Sequence, residues 1–398
     1  MTSLYKNDGN IPLCVPEICG NEWNYLKECL DSNWLSSVGP FVPRFENQVA
    51  EYVGTQFAVA TINGTAALHL ALLVVGIEPE DEVLVSTLGF VAPVNAIRYI
   101  HAWPVFIDAE PLYWQMDPQR VDDFLTKKCR WRNGKLYNQK TNRRVKAILP
   151  VHFLGHPVDM DPILELAAKY NLIVIEDGAE GLGSQYKGRN VGTLGDIACF
   201  SFNGNKIITA GGGGVIATNN RTWAERATFL SNQAKEDSFE STHNEIGYNY
   251  RLSNLHAAVG CAQLEQIDDY IRNKQVIAEA YFDRLVGALG ITSMQDAPWS
   301  FCTFWMYTVL VDPTRYGMSN RELLRNMRKK GIEARLLWRP IHMSQAYRHC
   351  QIEGGEVAEQ IFDQALSLPC SVGLPAEQLR TVSDFISSNQ MQEKALVS

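Results

Sequence analysis

Residues 172–218, LIVIEDGAEGLGSQYKGRNVGTLGDIACFSFNGNKIITAGGGGVIAT, constrain this chain more than any other stretch. Three apolar runs, 172–175, 197–202 and 215–218, read as buried strands. Asp177 follows the first of them. An acid there leaves the carboxyl end of a strand, where open α/β sheets bind ligands. A plain structural role for Asp177 is to cap the next turn. Lys206 follows the second run, with Ser201 five residues before it. Most lysines are solvated surface charges. This one is followed by Ile207 and Ile208 and lies between two apolar runs. A lysine held out of water can attack a carbonyl. Gly211 to Gly214 would let backbone approach a ligand closely. A flexible linker is the other use of such a run, and the strands on both sides argue against it.

This set points to a pyridoxal phosphate site with Lys206 as the covalent anchor. That cofactor is a strong electron sink only while its pyridine nitrogen is protonated, and a carboxylate such as Asp177 keeps it so. Residues 57–62 read as a strand, Asn63-Gly64-Thr65 follow, and 66–75 read as a helix. Strand, Gly-Thr and helix start make a phosphate cradle, with free amide hydrogens and the positive dipole end facing the anion. Thr65 could equally be an N-cap.

The order EDGAEGLGS, GD, SFNGNK, GGGGVIAT resembles the DegT/DnrJ/EryC1/StrS sugar aminotransferases over about residues 11–343. Within that family it looks most like the branch acting on nucleotide-linked 4-keto-6-deoxy sugars, including the legionaminic-acid-pathway type. The resemblance implies a fold-type I transferase with pyridoxal 5'-phosphate. Gly64, Thr65, Ala66 and Ser201 would hold its phosphate, and Phe90 would stack on its ring. Phe90 as plain core is the alternative. Glu180, where many members have Gln or His, would contact the ring oxygen, and only when protonated. Gly212 stands where many members carry Glu. The loop 32–40 with Trp34 resembles a signature near the active site; a turn on Gly39-Pro40 is the other reading. Gly247-Tyr248-Asn249-Tyr250-Arg251 resembles a motif whose Asn reaches the cofactor phosphate of a neighbouring subunit. Otherwise Tyr248 and Tyr250 are alternate strand residues. His152, Arg251, Arg335 and His342 fall in stretches the family places near cofactor or substrate. Arg335 or Arg339 could hold a carboxylate or phosphate, or be surface charges.

The fold class is therefore expected to be α/β. Residues 1–255 would form a large cofactor domain with a mixed sheet of about seven strands between helices, and 256–398 a smaller C-terminal α+β domain. The large domain includes the opening segment and a basic insert. Second and third strands are expected at 81–87 and 104–108. Strand 145–151, helix 161–170 and the strand from 172 make a crossover unit. Residues 253–285 read as one long helical stretch, 303–311 as a strand-like run, and 391–398 as a loose tail.

At 398 residues the chain can bury a large core. A net charge of -8 argues against general attraction for nucleic acid. Residues 127–146 hold nine Lys or Arg and no acid, centred on an Asn133-Gly134 hairpin signal. A solvated hairpin is the favoured reading over a nucleic-acid patch. No apolar run reaches the roughly 20 residues needed to span a bilayer, and the first ten residues do not read as a signal peptide. Nine cysteines without CxxC pairs suggest reduced thiols in a cytosolic protein, not disulfides or a zinc site. No metal site is expected; His152 and His156 flank Gly155, and Pro157 argues against a metal-binding helix.

The expected activity is transfer of an amino group from L-glutamate to a nucleotide-linked keto sugar, at C4 of a 4-keto-6-deoxyhexose, in glycan or surface polysaccharide synthesis. Lys206 would move the proton as base and acid, in a homodimer with shared sites. The alternatives are a C3-specific enzyme, another fold-type I enzyme such as a sugar dehydratase, and a non-enzymatic cofactor-binding regulator. Retention of Lys206 argues against the dehydratases, which the family resemblance associates with histidine there.

Overall fold

The structure, a computed structural model, describes residues 9–237, 240 and 242–389. Residues 1–8, most of the stretch read for a signal peptide, and the tail at 391–398 lie outside them. At the centre is an eight-stranded sheet in the order Phe57–Thr61, Gly214–Thr218, Ile197–Ser201, Ile173–Asp177, Val145–Leu149, Glu82–Ser86, Trp103–Ile107, Gln351–Glu353. Gly214–Thr218 is antiparallel to both its neighbours, and all the other pairings are parallel. The remaining seven strands therefore share one direction, and their carboxyl ends meet at one edge. That edge is where chemistry can be gathered from segments far apart in sequence.

Seven of these strands lie before residue 219, at the places the apolar runs predict. The eighth, Gln351–Glu353, comes from the C-terminal part of the chain. With three residues it has no period to read.

The strands are apolar on both sides because helices cover both sides. Gly64–Val74, Ala92–Tyr99 and Arg221–Ser231 place Leu68, Ile97 and Leu230 against Val83, Val85 and Ile216. Pro118–Lys127 and Met160–Tyr170 place Phe124 and Ile163 against Leu84, Ile148 and Val174. Phe41–Val53 and Asn254–Leu264 join the largest cluster, with Phe45, Phe200, Phe202 and Ala258.

A second, antiparallel sheet runs Ile291–Ser293, Tyr307–Val311, Ala365–Leu368, Arg335–Leu336. Asn320–Lys329 packs beside it through buried Leu323, Leu324 and Met327, and a Ser319–Glu322 capping box starts it.

Two expectations change in detail. The stretch 253–285 is two helices, Asn254–Leu264 and Ile267–Leu285. At the joint, the Glu265 carboxylate accepts hydrogen bonds from Asn21, Tyr25 and Arg44. Those tertiary partners fix the break, and helical spacing along the chain does not reveal them. The strand expected from Thr303 begins at Tyr307, because 303–305 turn aside to pack against Gly155. The basic insert is the hairpin Cys129–Arg132 and Lys135–Asn138, with Asn133 and Gly134 at φ 51° and 70°. Among the described residues, no helix is long and apolar enough to cross a membrane. Among the described residues, no group of three or more His, Cys, Asp or Glu is placed to hold a metal ion. All nine cysteines are free.

Candidate active site

Asp177 ends its strand at the common carboxyl edge, in register with Cys199 of the next strand. It is 4% exposed. Its Oδ1 accepts from Ala179 N at 3.0 Å; the other oxygen has no hydrogen-bond partner among the described residues. Burial pushes its carboxyl above the usual range, opposed by the Ala179 N–H and by the charges of Lys206 and His152. A buried acid so poorly supplied with donors suits a cationic N–H brought by a ligand.

Ser201 ends the neighbouring strand, opposite Gly214. Asn63 lies against Gly213 in a parallel bridge and caps Gly64–Val74, its side chain accepting from Ala66 N at 2.8 Å. The N-cap is therefore Asn63, which leaves Thr65 free of that task. The Thr65 and Ser201 hydroxyls make no hydrogen bond among the described residues. A Cβ on Gly64 would stand 2.9 Å from Ser201 Cβ, so only glycine brings the helix start this close to Ser201. The result is a cradle of unspent hydroxyls and helix amides with room for an anion.

Lys206 lies in the loop after Ile197–Ser201, with its side chain 13% exposed. Its Nζ is 3.6 Å from Glu180 Oε1 and 4.1 Å from the centre of the Trp305 ring. Glu180 Oε2 also accepts from Leu154 N at 2.8 Å. Burial pushes Glu180 above the usual carboxylate range, with Lys206 pulling the other way. Trp305 is held by its indole N–H, which donates to Asn205 O at 2.7 Å. Its segment fits because Gly155, at φ 89°, has no side chain; a Cβ there would lie 2.5 Å from Thr303 Oγ1 and 2.8 Å from Trp305 N. Trp305 is stacked on Trp338 at 6.1 Å, and Trp338 meets Phe90 edge-on at 5.7 Å. Phe90 is 50% exposed, which is not the behaviour of plain core. Trp305 and Trp338 are site residues that spacing along the sequence does not single out. The FCTFW run shows aromatics without a period, and only the turn against Gly155 brings Trp305 to Lys206.

The outlying candidates divide. His152 is corrected: the sequence assigns it to the substrate side, and the structure turns it inward. It is wholly buried, its Nε2 3.0 Å from Glu176 Oε2 and its Nδ1 accepting from Val158 N at 3.1 Å. Neither nitrogen is left for a ligand. Glu176 also accepts from the amides of Gly192, Leu194 and Gly195. Burial pushes Glu176 up, but His152 and these amides bring it below the usual range. Arg251 reaches Glu46 Oε1 at 2.8 Å, and His342 lies between Thr87 Oγ1 at 2.7 Å and Glu359 Oε1 at 3.0 Å. Trp34 is 48% exposed, on a loop fastened by buried Asn254, whose amide donates to Trp34 O and whose Oδ1 accepts from Phe41 N. Asn249, Arg335 and Arg339 are exposed.

A mostly parallel sheet with a lysine, two buried carboxylates and an anion cradle at one edge defines a cofactor-dependent transferase of the pyridoxal phosphate type. The chain belongs to the DegT/DnrJ/EryC1/StrS aminotransferase family, whose profile matches residues 16–387. It is 40% identical to the GDP-perosamine synthase of Escherichia coli O157:H7, over 95% of this chain and 98% of that one. It is 38% identical to the GDP-perosamine synthase of Caulobacter vibrioides, over 92% and 94%. The solved structure of S. venezuelae DesV matches with a TM-score of 0.83 and 31% identity, over 92% and 94%. The protein is thus a pyridoxal-phosphate-dependent sugar aminotransferase with the fold-type I architecture. The cradle at Gly64 and the undersupplied Asp177 fit that cofactor.

Proposed function

We propose that the enzyme moves an amino group from L-glutamate to C4 of a nucleotide-linked 4-keto-6-deoxyhexose, with GDP as the nucleotide. The observation that carries the chemistry is Lys206 Nζ standing 3.6 Å from buried Glu180, in the field of Asp177. The choice of nucleotide and carbon rests on the GDP-perosamine synthases among the relatives. The legionaminic-type likeness finds no counterpart in those names and is not carried further.

When bound, pyridoxal phosphate supplies an electron sink for the carbon that loses its proton. In this reading Gly64, Thr65, Ala66 and Ser201 hold its phosphate, and Phe90 lies against its ring. Asp177 keeps the ring nitrogen protonated. Glu180 contacts the ring oxygen as a protonated acid, in line with the upward push of burial. Lys206 anchors the cofactor, then carries the proton in both half-reactions. Its amine is well placed for that work, because Trp305 and Glu180 hold it without enclosing it. In this reading residues 1–255 form the cofactor domain and 256–398 the smaller C-terminal domain, which lends the strand Gln351–Glu353 to the large sheet. Exposed Asn249 reaches the cofactor phosphate of a second copy in a homodimer, and exposed Trp34 and Arg335 face the sugar nucleotide.

The test is incubation with glutamate and UDP-, dTDP- and GDP-linked 4-keto-6-deoxy sugars, with products identified by mass spectrometry and NMR. A 4-amino sugar in the GDP arm is expected. Amination at C3, in another nucleotide arm alone, or loss of water without amination would each replace the proposal. A mixed dimer of Lys206→Ala and Asn249→Ala subunits tests the shared site. If Asn249 acts across the interface, one site carries both lesions and the other is normal, so activity appears. If it acts within its own subunit, no normal site exists.

A further inference from the structure

Away from the lysine that carries the chemistry, a second lysine is buried without an acid. Lys274, on Ile267–Leu285, is 1% exposed. Lysines buried to this degree are normally paired with a carboxylate. Lys274 makes no ion pair among the described residues. Its Nζ donates to Trp305 O at 2.8 Å and Cys370 O at 2.5 Å. Beside it stand two thiols, Cys370 Sγ at 3.5 Å and Cys14 Sγ at 3.8 Å.

The two thiols come from segments bonded to each other. Cys370 N donates to Leu13 O at 2.7 Å, and Val15 N donates to Ser371 Oγ at 3.1 Å. Cys370 is 1% exposed. Cys14 is only half-buried, and it lines a cavity of about 90 Å³ shared with Asn205, Trp305 and Trp338. Its sulfur lies 3.8 Å from Asn205 O, one residue before Lys206. The cavity gives small molecules a way to Cys14, and Cys14 is the way to Cys370.

The electrostatics agree with this geometry. The hydrogen bond from Cys14, with the Lys274 charge, holds Cys370 below the ordinary thiol range against the push of burial. Cys14 is raised in turn by that hydrogen bond and by burial. Lys274 is held up by the two sulfurs although burial alone would lower it. At rest the charge lies on Cys370, beside a fixed ammonium, and Cys14 keeps its proton. Elsewhere, burial raises Cys199, Cys302 and Cys129.

We propose that Cys14 and Cys370 are a thiol-oxidation site that takes hydroperoxides and closes to a disulfide at the wall of the cavity beside Asn205 and Trp305. The Cys370 sulfur, which carries the charge at rest, takes the proton of Cys14, the thiol in reach. Its sulfur attacks one oxygen of hydrogen peroxide. An S–O bond forms, the O–O bond breaks, and the departing hydroxide takes a proton from solvent water to leave as water. Cys14 is oxidised to the sulfenic acid and the peroxide is reduced. The Cys370 sulfur then attacks the Cys14 sulfur; an S–S bond forms, the S–O bond breaks, and the oxygen leaves as a second water with the remaining thiol proton. One thiolate, one thiol, one peroxide and one solvent proton give one disulfide and two waters.

The experiment treats the holoenzyme with graded hydrogen peroxide, counts thiols after unfolding, and maps peptides without reduction. The expected count falls from nine to seven, with the peptides of Cys14 and Cys370 joined and two hydrogens lost. Dithiothreitol restores the full count. Cys14→Ser, its fold checked by circular dichroism, is expected to lose the linked peptide, whereas Cys350→Ser keeps it. A count that stays at nine overturns the proposal. So does a link between another pair of cysteines, or Cys14 oxidised beyond the sulfenic acid while Cys370 remains a thiol.

Discussion

Lys206 and Lys274 approach the same residue, Trp305, and are put to opposite uses. Lys206 lies 4.1 Å from the centre of the indole ring, and Lys274 bonds the backbone carbonyl at 2.8 Å. Lys206 sits in a loop at the carboxyl edge of the large sheet, among carboxylates that burial has pushed up. Lys274 sits inside a helix, with its donors spent on two carbonyls and the thiols around them. A lysine ammonium has three donors. At Lys274 these are taken up by groups that do not move. At Lys206 the contacts are a ring face and a carboxylate 3.6 Å away, which leave the amine free to change partners. With Lys206 in its proposed role, burial alone does not mark a catalytic lysine. What marks it is burial with donors left over.

The sharpest break of this comparison is Lys206→Ala. Turnover should fall by at least the roughly 10²–10⁴-fold that a positioned acid–base group contributes, and to background if the residue is also the covalent anchor. After borohydride treatment, mass spectrometry of the wild-type holoenzyme should find the cofactor fixed to residue 206, and none fixed in the variant. Cofactor found attached at Lys274 would invert the assignment of the two lysines.

Asp177→Asn tests the acid side with two effects of opposite sign. Turnover should fall by about one to two decades, since one charge-assisted hydrogen bond is worth roughly 1.5–3 kcal/mol. The cofactor-free variant should meanwhile be more stable than wild type near neutral pH. Burial raises the Asp177 carboxyl above its ordinary 3.8. A raised acid contributes stability below its unfolded value and loses it as pH rises through the folded one. Asparagine does not titrate, so the gap should narrow as pH is lowered through the raised folded value toward the ordinary 3.8. Urea midpoints across that range measure it. A variant less stable than wild type throughout would mean that the carboxylate has donors beyond Ala179.

The two lysines also mark how far the sequence is legible. Lys206 can be read because its neighbourhood is local: apolar runs set the strands, and Asp177, Ser201 and the glycines lie within the same stretch. The parallel edge follows from strands of this kind joined by helical crossovers. Lys274 cannot be read, since its partners Cys14, Trp305 and Cys370 come from three distant segments. In sequence it is one more charge on a long helix. Trp305 escapes for the same reason, being placed by Gly155 across the fold. His152 misleads in the other direction. Its place after a strand suggests the site, but Glu176 and Val158 claim both its nitrogens. Spacing reports which face of an element a residue occupies; it does not report which partners are waiting there.

Lys274→Met gives the smallest effect and the finest test. The variant keeps the length of the side chain and removes its donors. Two carbonyls, Trp305 O and Cys370 O, are left with one partner fewer. Leaving buried polar groups unsatisfied costs about 1–3 kcal/mol. Removing one partner of a buried ion pair costs more, about 3–5 kcal/mol, because a charge is stranded. The two thiols decide between these figures. If the counter-charge of Lys274 is shared by Cys14 and Cys370, the sulfurs can take up a proton when the ammonium is lost, and no charge is stranded. The urea midpoint of the cofactor-free protein should then drop by the smaller amount, and the cofactor should still attach at Lys206. A loss in the larger range would mean that a fixed anion faces Lys274, and the contrast between the two lysines would reduce to a choice of counter-ion.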